Sequence, residues 1–311
     1  MQLYMQITVE RMSRQLSVSH VDVTDAPAGR KASPGQCANR DSGGTVPDQW
    51  VADAYLRIPT LRTQAVLDLL ARVRHPGPRL VVDLGCGPGN NTELIAEHWP
   101  KARVIGVDSS PNMIAAARER EEPGHLEFRL GDVATWQPDE PADVVLLNAV
   151  LQWIPGHAAL MPRLAAMLAP GGVLGFQMPG LMSGGNDPLL ATILELTRAP
   201  QWRDKLGRVY GDDTLLDALG YITALGDAGL RPEAWETRYT YLLAGTGRLV
   251  EYVSGSILRP VFALLDPAEG EQFRAEFAQR LSEDHPPRVI GGETVEVLSQ
   301  RRVFAVGRNA N

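Results

Sequence analysis

Hydrophobic residues at Val66, Leu67, Leu69, Leu70 and Val73 return at helical spacing, which predicts an amphipathic helix over about residues 60–74. His75-Pro76-Gly77-Pro78 stops it. The pattern then shortens to compact apolar runs at Leu80–Leu84, Arg103–Asp108, Leu126–Leu130, Ala142–Asn148 and Val173–Gln177. These have strand length. The stretches Asn91–His98 and Ser110–Glu121 between the first three read as helices. Strands alternating with helices in this rhythm imply βαβ units and a parallel sheet. Near-continuous runs such as Val144-Val145-Leu146-Leu147 fit strands covered on both faces.

After Met178 the rhythm changes. Residues 184–228 read as helical segments with loops, Trp235–Leu243 as a strand, and Gly247–Leu265 and Pro267–Glu283 as helices. Arg302–Val306 reads as a closing strand. The expected fold is α/β: a Rossmann-like, doubly wound, mostly parallel seven-stranded sheet. A helical cap over one end comes from about 184–228 and 247–285. Gly184-Gly185 and Gly291-Gly292 are candidate hinges. Residues 1–48 differ from the rest. From Asp22 to Asp48 large apolar residues are almost absent, so this stretch reads as a disordered leader before a domain at 49–311.

Composition adds exclusions. The 311 residues carry a formal charge of −7, which argues against a broad nucleic-acid or anionic-membrane surface. The apolar runs end well short of the roughly 18 residues a membrane span needs. Two cysteines, Cys37 and Cys86, make no disulfide framework, and a reducing cytoplasm is the expected location. No cluster has metal-ligand spacing, so no metal is expected.

The strongest chemical signal is Asp83-Leu84-Gly85-Cys86-Gly87-Pro88-Gly89-Asn90, between a strand and a helix. Alternate glycines leave backbone open to a ligand, and the following helix offers unpaired N–H groups. Dinucleotide sites use G-x-G-x-x-G; the spacing here, with a leading acid, suits a ligand with a charged amino-acid moiety and no diphosphate. Asp108 ends the second strand, nineteen residues past Gly89, where a carboxylate can accept from ribose hydroxyls. Asp132, after Gly131, can accept from an adenine amino group, with Val133 and Met113 against the ring faces. Asn148 ends the fourth strand. Ligands of open α/β sheets bind outside the carboxyl ends of strands. Asp83, Asp108, Asp132 and Asn148 therefore point to one crevice.

This set resembles the class I S-adenosylmethionine-dependent methyltransferases. From Trp50 to Arg308 the chain further resembles the trans-aconitate 2-methyltransferase family. The likeness rests on Trp50 and Tyr55, Val82–Asn90, Asp108-Ser109-Ser110-Pro111 with Met113-Ile114, and Trp136-Gln137-Pro138. Asn148-Ala149 with Leu151-Gln152-Trp153, Gln177-Met178-Pro179 and Leu258-Arg259-Pro260 complete it. The resemblance implies S-adenosylmethionine as cofactor and methyl-ester formation on a small polycarboxylate such as trans-aconitate. It adds Tyr55, Ser109, Gln152 and Trp153, and the backbone of Cys86, to the cofactor set. The chain departs from that family's usual Arg-x-Arg-Pro, reading Arg62-Thr63-Gln64-Ala65, and has Gly180-Leu181 after Met-Pro. Methylation of another metabolite at oxygen or carbon, and cofactor binding without methyl transfer, stay open at this point.

An anionic acceptor needs local cations. Arg259, among apolar residues, is the first candidate for a substrate carboxylate and Arg62 the second. A carboxylate acceptor is ionised at neutral pH and requires no base. His157 would serve as base only for a hydroxyl or amine acceptor.

Overall fold

The computed structural model describes residues 60–180, 188–210 and 215–310. All of them fall in the larger of the two units into which the chain divides, Val46–Asn311. The leader, Trp50, Tyr55 and the Gly184-Gly185 pair lie outside the described residues, as does the side chain of Arg62.

The helix α1 spans Thr60–Arg72 and leads into β1, Leu80–Leu84. Then follow α2 (Asn90–His98), β2 (Arg103–Asp108), α3 (Pro111–Ala117) and β3 (Leu126–Leu130). Next come β4 (Ala142–Asn148), α4 (Met161–Ala166) and β5 (Leu168–Pro179). The later part holds α5 (Pro188–Thr197), α6 (Arg203–Leu206), α7 (Ala218–Asp227) and β6 (Arg231–Ala244). It closes with α8 (Arg248–Ser254), α9 (Arg259–Phe262), α10 (Pro267–Asp284), β7 (Arg288–Ile290) and β8 (Glu293–Arg308).

The sheet order is β3-β2-β1-β4-β5-β8-β6, with β7 paired to β8. The strands β1 to β5 are parallel; β8 runs antiparallel between β5 and β6. The chain works outward from β1 to β3 and then returns to place β4 on the other side of β1. That reversal opens a crevice above the carboxyl ends of β1 and β4.

Two apolar layers sandwich the sheet. Leu84, Val107, Val145 and Phe176 face α4 and α7, with Leu164, Tyr221 and Leu225 against them. Val81, Val104, Leu146 and Phe304 face the other way, onto Leu69 of α1, Ile95 of α2 and Ile114 of α3. A third cluster joins α5, α8 and α10 through Ile193, Tyr252, Val253, Phe273 and Phe277 to Leu243 and Leu298, at the projecting ends of β6 and β8. No helix among the described residues is long and apolar enough to cross a membrane.

The expected seven strands form the main path of the sheet, and the three-residue β7 adds an eighth paired to β8. Other expectations need correction. Gly291 and Gly292, with φ of 62° and 86°, form the two-residue turn of the β7–β8 hairpin and are no hinge. The predicted helix over 247–265 divides at Gly255 into α8 and α9, and Pro260 stands in the first turn of the second piece. The last two main strands are far longer than their apolar cores. β6 and β8 stay paired from Arg231–Arg308 to Ala244–Val295, beyond the end of β5; β6 is mostly exposed, and β8 is largely buried but carries the buried polar residues Glu296, Gln300 and Arg302 that break its apolar signature.

Candidate active site

Asp83 is the buried centre of the strand tips, 1% exposed. Its Oδ2 accepts from the Thr92 hydroxyl at 2.7 Å, while Oδ1 is buried without a hydrogen-bond partner. Burial pushes the carboxyl up to about 7; the Thr92 bond opposes this and the nearby Asp108 charge adds to it. A cationic group placed against Oδ1 reverses the balance and holds the carboxylate ionised. Binding of such a ligand at pH 7 should therefore release about half a proton. Calorimetric titrations in buffers of different ionisation enthalpy measure it, and uptake or zero release would contradict this role.

The loop after β1 is fixed by its own backbone. The amides of Gly85 and Cys86 donate to the Val107 carbonyl at 2.6 and 3.0 Å, and that of Gly87 to Asp108 Oδ2 at 2.9 Å. Its glycines have φ of 78°, 57° and 84° at 85, 87 and 89. They are glycine for different reasons. A β-carbon at Gly85 would run into Val150, and one at Gly89 would lie 2.7 Å from Phe128. At Gly87 no atom of the described residues lies within 4 Å of such a β-carbon. Of the three, Gly87 is the one whose open side meets no described residue. Gly131 packs closely on Trp136 and Val107.

The other tips surround this loop. Asp108 accepts from the Ser110 amide through Oδ1 at 2.9 Å, so its carboxylate ties the first two loops together. Ser109 is exposed beside it, and Met113, capped by Ser110, is buried. Asp132 is exposed and closes its own turn onto the Ala134 amide at 2.7 Å, with Val133 buried behind it. The thiol of Cys86 is buried, and burial followed by the Asp83 and Asp108 charges pushes its pKa up. It offers no nucleophile.

The tip of β4 is bent. Ala149 has φ 58°, a left-handed conformation that costs a non-glycine residue about 1–2 kcal/mol. The bend sets Val150 against Gly85 and starts the short turn Leu151–Trp153. In that turn Gln152 Nε2 donates to the Ala149 carbonyl at 2.6 Å, and Oε1 is buried without a partner. Trp153 is partly exposed at 38%.

Sequence reasoning missed a polar row on the same face. Asn148 Oδ1 accepts from Gln177 Nε2, and Gln177 Oε1 accepts from Arg302 Nη1 at 2.9 Å. Arg302 Nη2 donates to Gln300 Oε1 at 3.1 Å, which also accepts from the Tyr252 hydroxyl at 3.2 Å. Thr92 escaped notice as well. Its signal is a small hydroxyl one turn into the helix behind the leading acid.

The remaining candidates lie elsewhere. His157 is buried on the opposite face, its Nε2 2.8 Å from the Tyr221 hydroxyl. Arg259 is half-buried at the start of α9, beside Leu258 and Val261 of the helical cluster.

Among the described residues, three buried acceptors without partners gather at these tips: Asp83 Oδ1 in β1, Asn90 Oδ1 at the start of α2 and Gln152 Oε1 in the turn after β4. With the open side of Gly87 they fit a ligand that carries an ammonium group and hydroxyls.

Comparison with known proteins agrees with this geometry. A family model described as "Methyltransferase domain" matches residues 81–172. The chain is 40% identical over 264 residues to the trans-aconitate 2-methyltransferase of Streptomyces avermitilis, covering 83% of this chain and 96% of that protein. It is 41% identical to the Streptomyces coelicolor enzyme of that name, covering 83% and 86%. It is 40% identical to that of Methylobacterium nodulans, covering 83% and 98%. Among solved structures, a Bacillus halodurans methyltransferase superposes with a TM-score of 0.53 at 15% identity, over 80% of this chain and all of that one. At that identity the likeness concerns the fold.

Proposed function

The chain belongs to the trans-aconitate 2-methyltransferase family, and from that premise we propose that its strand-tip crevice brings S-adenosylmethionine and trans-aconitate together, in the cytoplasm, so that the methyl passes from sulfur to a carboxylate oxygen and S-adenosylhomocysteine leaves. It is an S-adenosylmethionine-dependent methyltransferase. The observation that carries the reading is the pairing of the partnerless Asp83 Oδ1 with the open side of Gly87.

In this proposal Asp83 and the 85–89 loop hold the amino-acid end of the cofactor. Asp108 and Ser109 hold the ribose, and Met113, Gly131, Asp132 and Val133 enclose the adenine. Asn148, Gln152 and Trp153 border the transfer point, with Tyr55 on the sulfonium side. Arg259 and Arg62 are acceptor-side cations. When bound, the cofactor supplies an electrophilic methyl on a sulfonium. The chain's own task is to bring an already ionised carboxylate in line with it. No proton has to be moved, because such an acid is deprotonated at neutral pH. Holding two reactants in line is worth up to roughly 7–11 kcal/mol of barrier. The engagement of His157 with Tyr221 across the sheet fits a reaction without a base.

The test is transfer of labelled methyl from S-adenosylmethionine to trans-aconitate, followed by mild alkali. The expected label is released as methanol, as from an ester. A base-stable product, or no transfer to any polycarboxylate, would overturn the acceptor assignment.

A further inference from the structure

Two arginines stand side by side in β8 and have opposite fates. Arg301 pairs with Glu236 at 3.1 Å on one face. Arg302 points to the other, where its register neighbour Phe304 joins the α1 layer, and is 3% exposed. A buried cation ordinarily has a carboxylate partner. Among the described residues Arg302 has none: its two hydrogen bonds go to the neutral amides Gln177 and Gln300. Its Nε is buried with no acceptor. A guanidinium carries five N–H donors, so three remain unspent.

Its position matters as much as its charge. Arg302 pairs with Pro179 at the carboxyl end of β5, one step beyond Gln177, which pairs with Asn148. Alternation along the strands puts Asp83, Asn148, Gln177 and Arg302 on one face, on β1, β4, β5 and β8 in spatial order. The acid end of this row lies at the glycine loop and the cationic end lies away from it. Tyr239, opposite Gln300 in register, walls that end and donates its hydroxyl to Asp68 of α1.

We propose that Arg302 is the receptor for a carboxylate of the methyl acceptor, held ready by two neutral amides that fix the planar fork without neutralising it. The proposal rests on the methylation reading above. An acceptor carboxylate supplies the missing negative charge and takes the unspent N–H donors. The same amides couple it to Asn148 through Gln177. The acceptor is thus registered against the cofactor end of the row.

Calorimetric titration with trans-aconitate in the presence of S-adenosylhomocysteine, together with steady-state kinetics, tests this on the full chain. In Arg302→Leu the acceptor affinity should fall at least about 30-fold and KM rise in parallel, with cofactor affinity within twofold. Arg302→Lys keeps the charge without the fork, and its acceptor KM should fall between the two. It also carries the test if the leucine variant does not fold. Acceptor KM unchanged in a variant that folds would overturn the proposal. Equal losses of cofactor and acceptor affinity would overturn it too, since they mark a purely structural arginine. A wild-type protein that binds cofactor yet methylates no polycarboxylate removes the methylation reading and this inference together. Wild-type turnover with an indifferent Arg302 removes the inference alone.

Discussion

Gly87→Ala should fold almost normally and lose about 100-fold in S-adenosylmethionine affinity. The two effects separate because the position is strained in backbone but open in space. An alanine at φ 57° costs about 1–2 kcal/mol, which lowers the melting temperature by a few degrees. Its methyl meets no atom of the described residues within 4 Å, so the added volume falls on the open side where the account places the ligand. Gly85→Ala is the contrast. There the methyl collides with Val150, and overpacking adds to backbone strain for a loss of about 3 kcal/mol or more. Thermal unfolding and calorimetric titration of both variants decide the matter. A Gly87→Ala protein that binds cofactor like wild type would mean that the open side of the loop faces no ligand.

Asp83→Asn should gain stability and lose function. With a folded carboxyl titrating near 7 against 3.8 for an ordinary aspartate, keeping Asp83 ionised in the empty protein at pH 8 costs roughly 4 kcal/mol. The amide removes that charge, still accepts from Thr92, and buries an N–H donor group of its own at about 1–3 kcal/mol. The net gain is about 2 kcal/mol, or a melting temperature ~4–8 °C higher without cofactor. Cofactor affinity should drop about 100-fold as the anion opposite the ligand's ammonium disappears. The sign with pH follows. The native state binds more protons than the unfolded chain between about pH 4 and 7, so wild-type stability falls as pH rises through that window and levels off above it. Asp83→Asn should lack this slope. A variant less stable than wild type at pH 8 would contradict the burial account.

What the sequence reveals divides by physical cause. The strands β1, β2 and β4 are buried on both faces and the edge strand β3 alternates buried with partly exposed residues, so all four stand out from flanking polar text. Three acids and one asparagine at four successive tips were legible for that reason. The sequence underestimates the length of β6 and β8 because their outer halves form a ribbon beyond β5, in which β6 is mostly exposed and β8 buries polar side chains such as Glu296 and Gln300. The α8–α9 break has a local signal that the apolar spacing hides: Gly255 ends the first helix and Pro260 opens the second. The glycines look alike in the sequence, and only the positions of Val150 and Phe128 show which one is open. Arg302 had a signal that was passed over: a charge occupying the face that Phe304 and Val306 continue as apolar.

Thr92 and Gln177 illustrate a further limit. Each acts through hydrogen bonds to site residues, Thr92 to Asp83 and Gln177 to Asn148 and Arg302. Such partners are chosen by distance across the fold and leave no spacing rule behind. They also show how the tips are held. The buried row shares hydrogen bonds from β4 to β8, so neighbouring tips constrain one another.

The most direct test is a crystal structure of the protein with S-adenosylhomocysteine. The ligand's amino group should face Asp83 Oδ1 above Gly87, its ribose should lie at Asp108, and its adenine should rest on Val133 beside Asp132. A nucleoside bound away from the carboxyl ends of β1, β2 and β4, or one leaving the Asp83 carboxyl without a donor, would contradict the account.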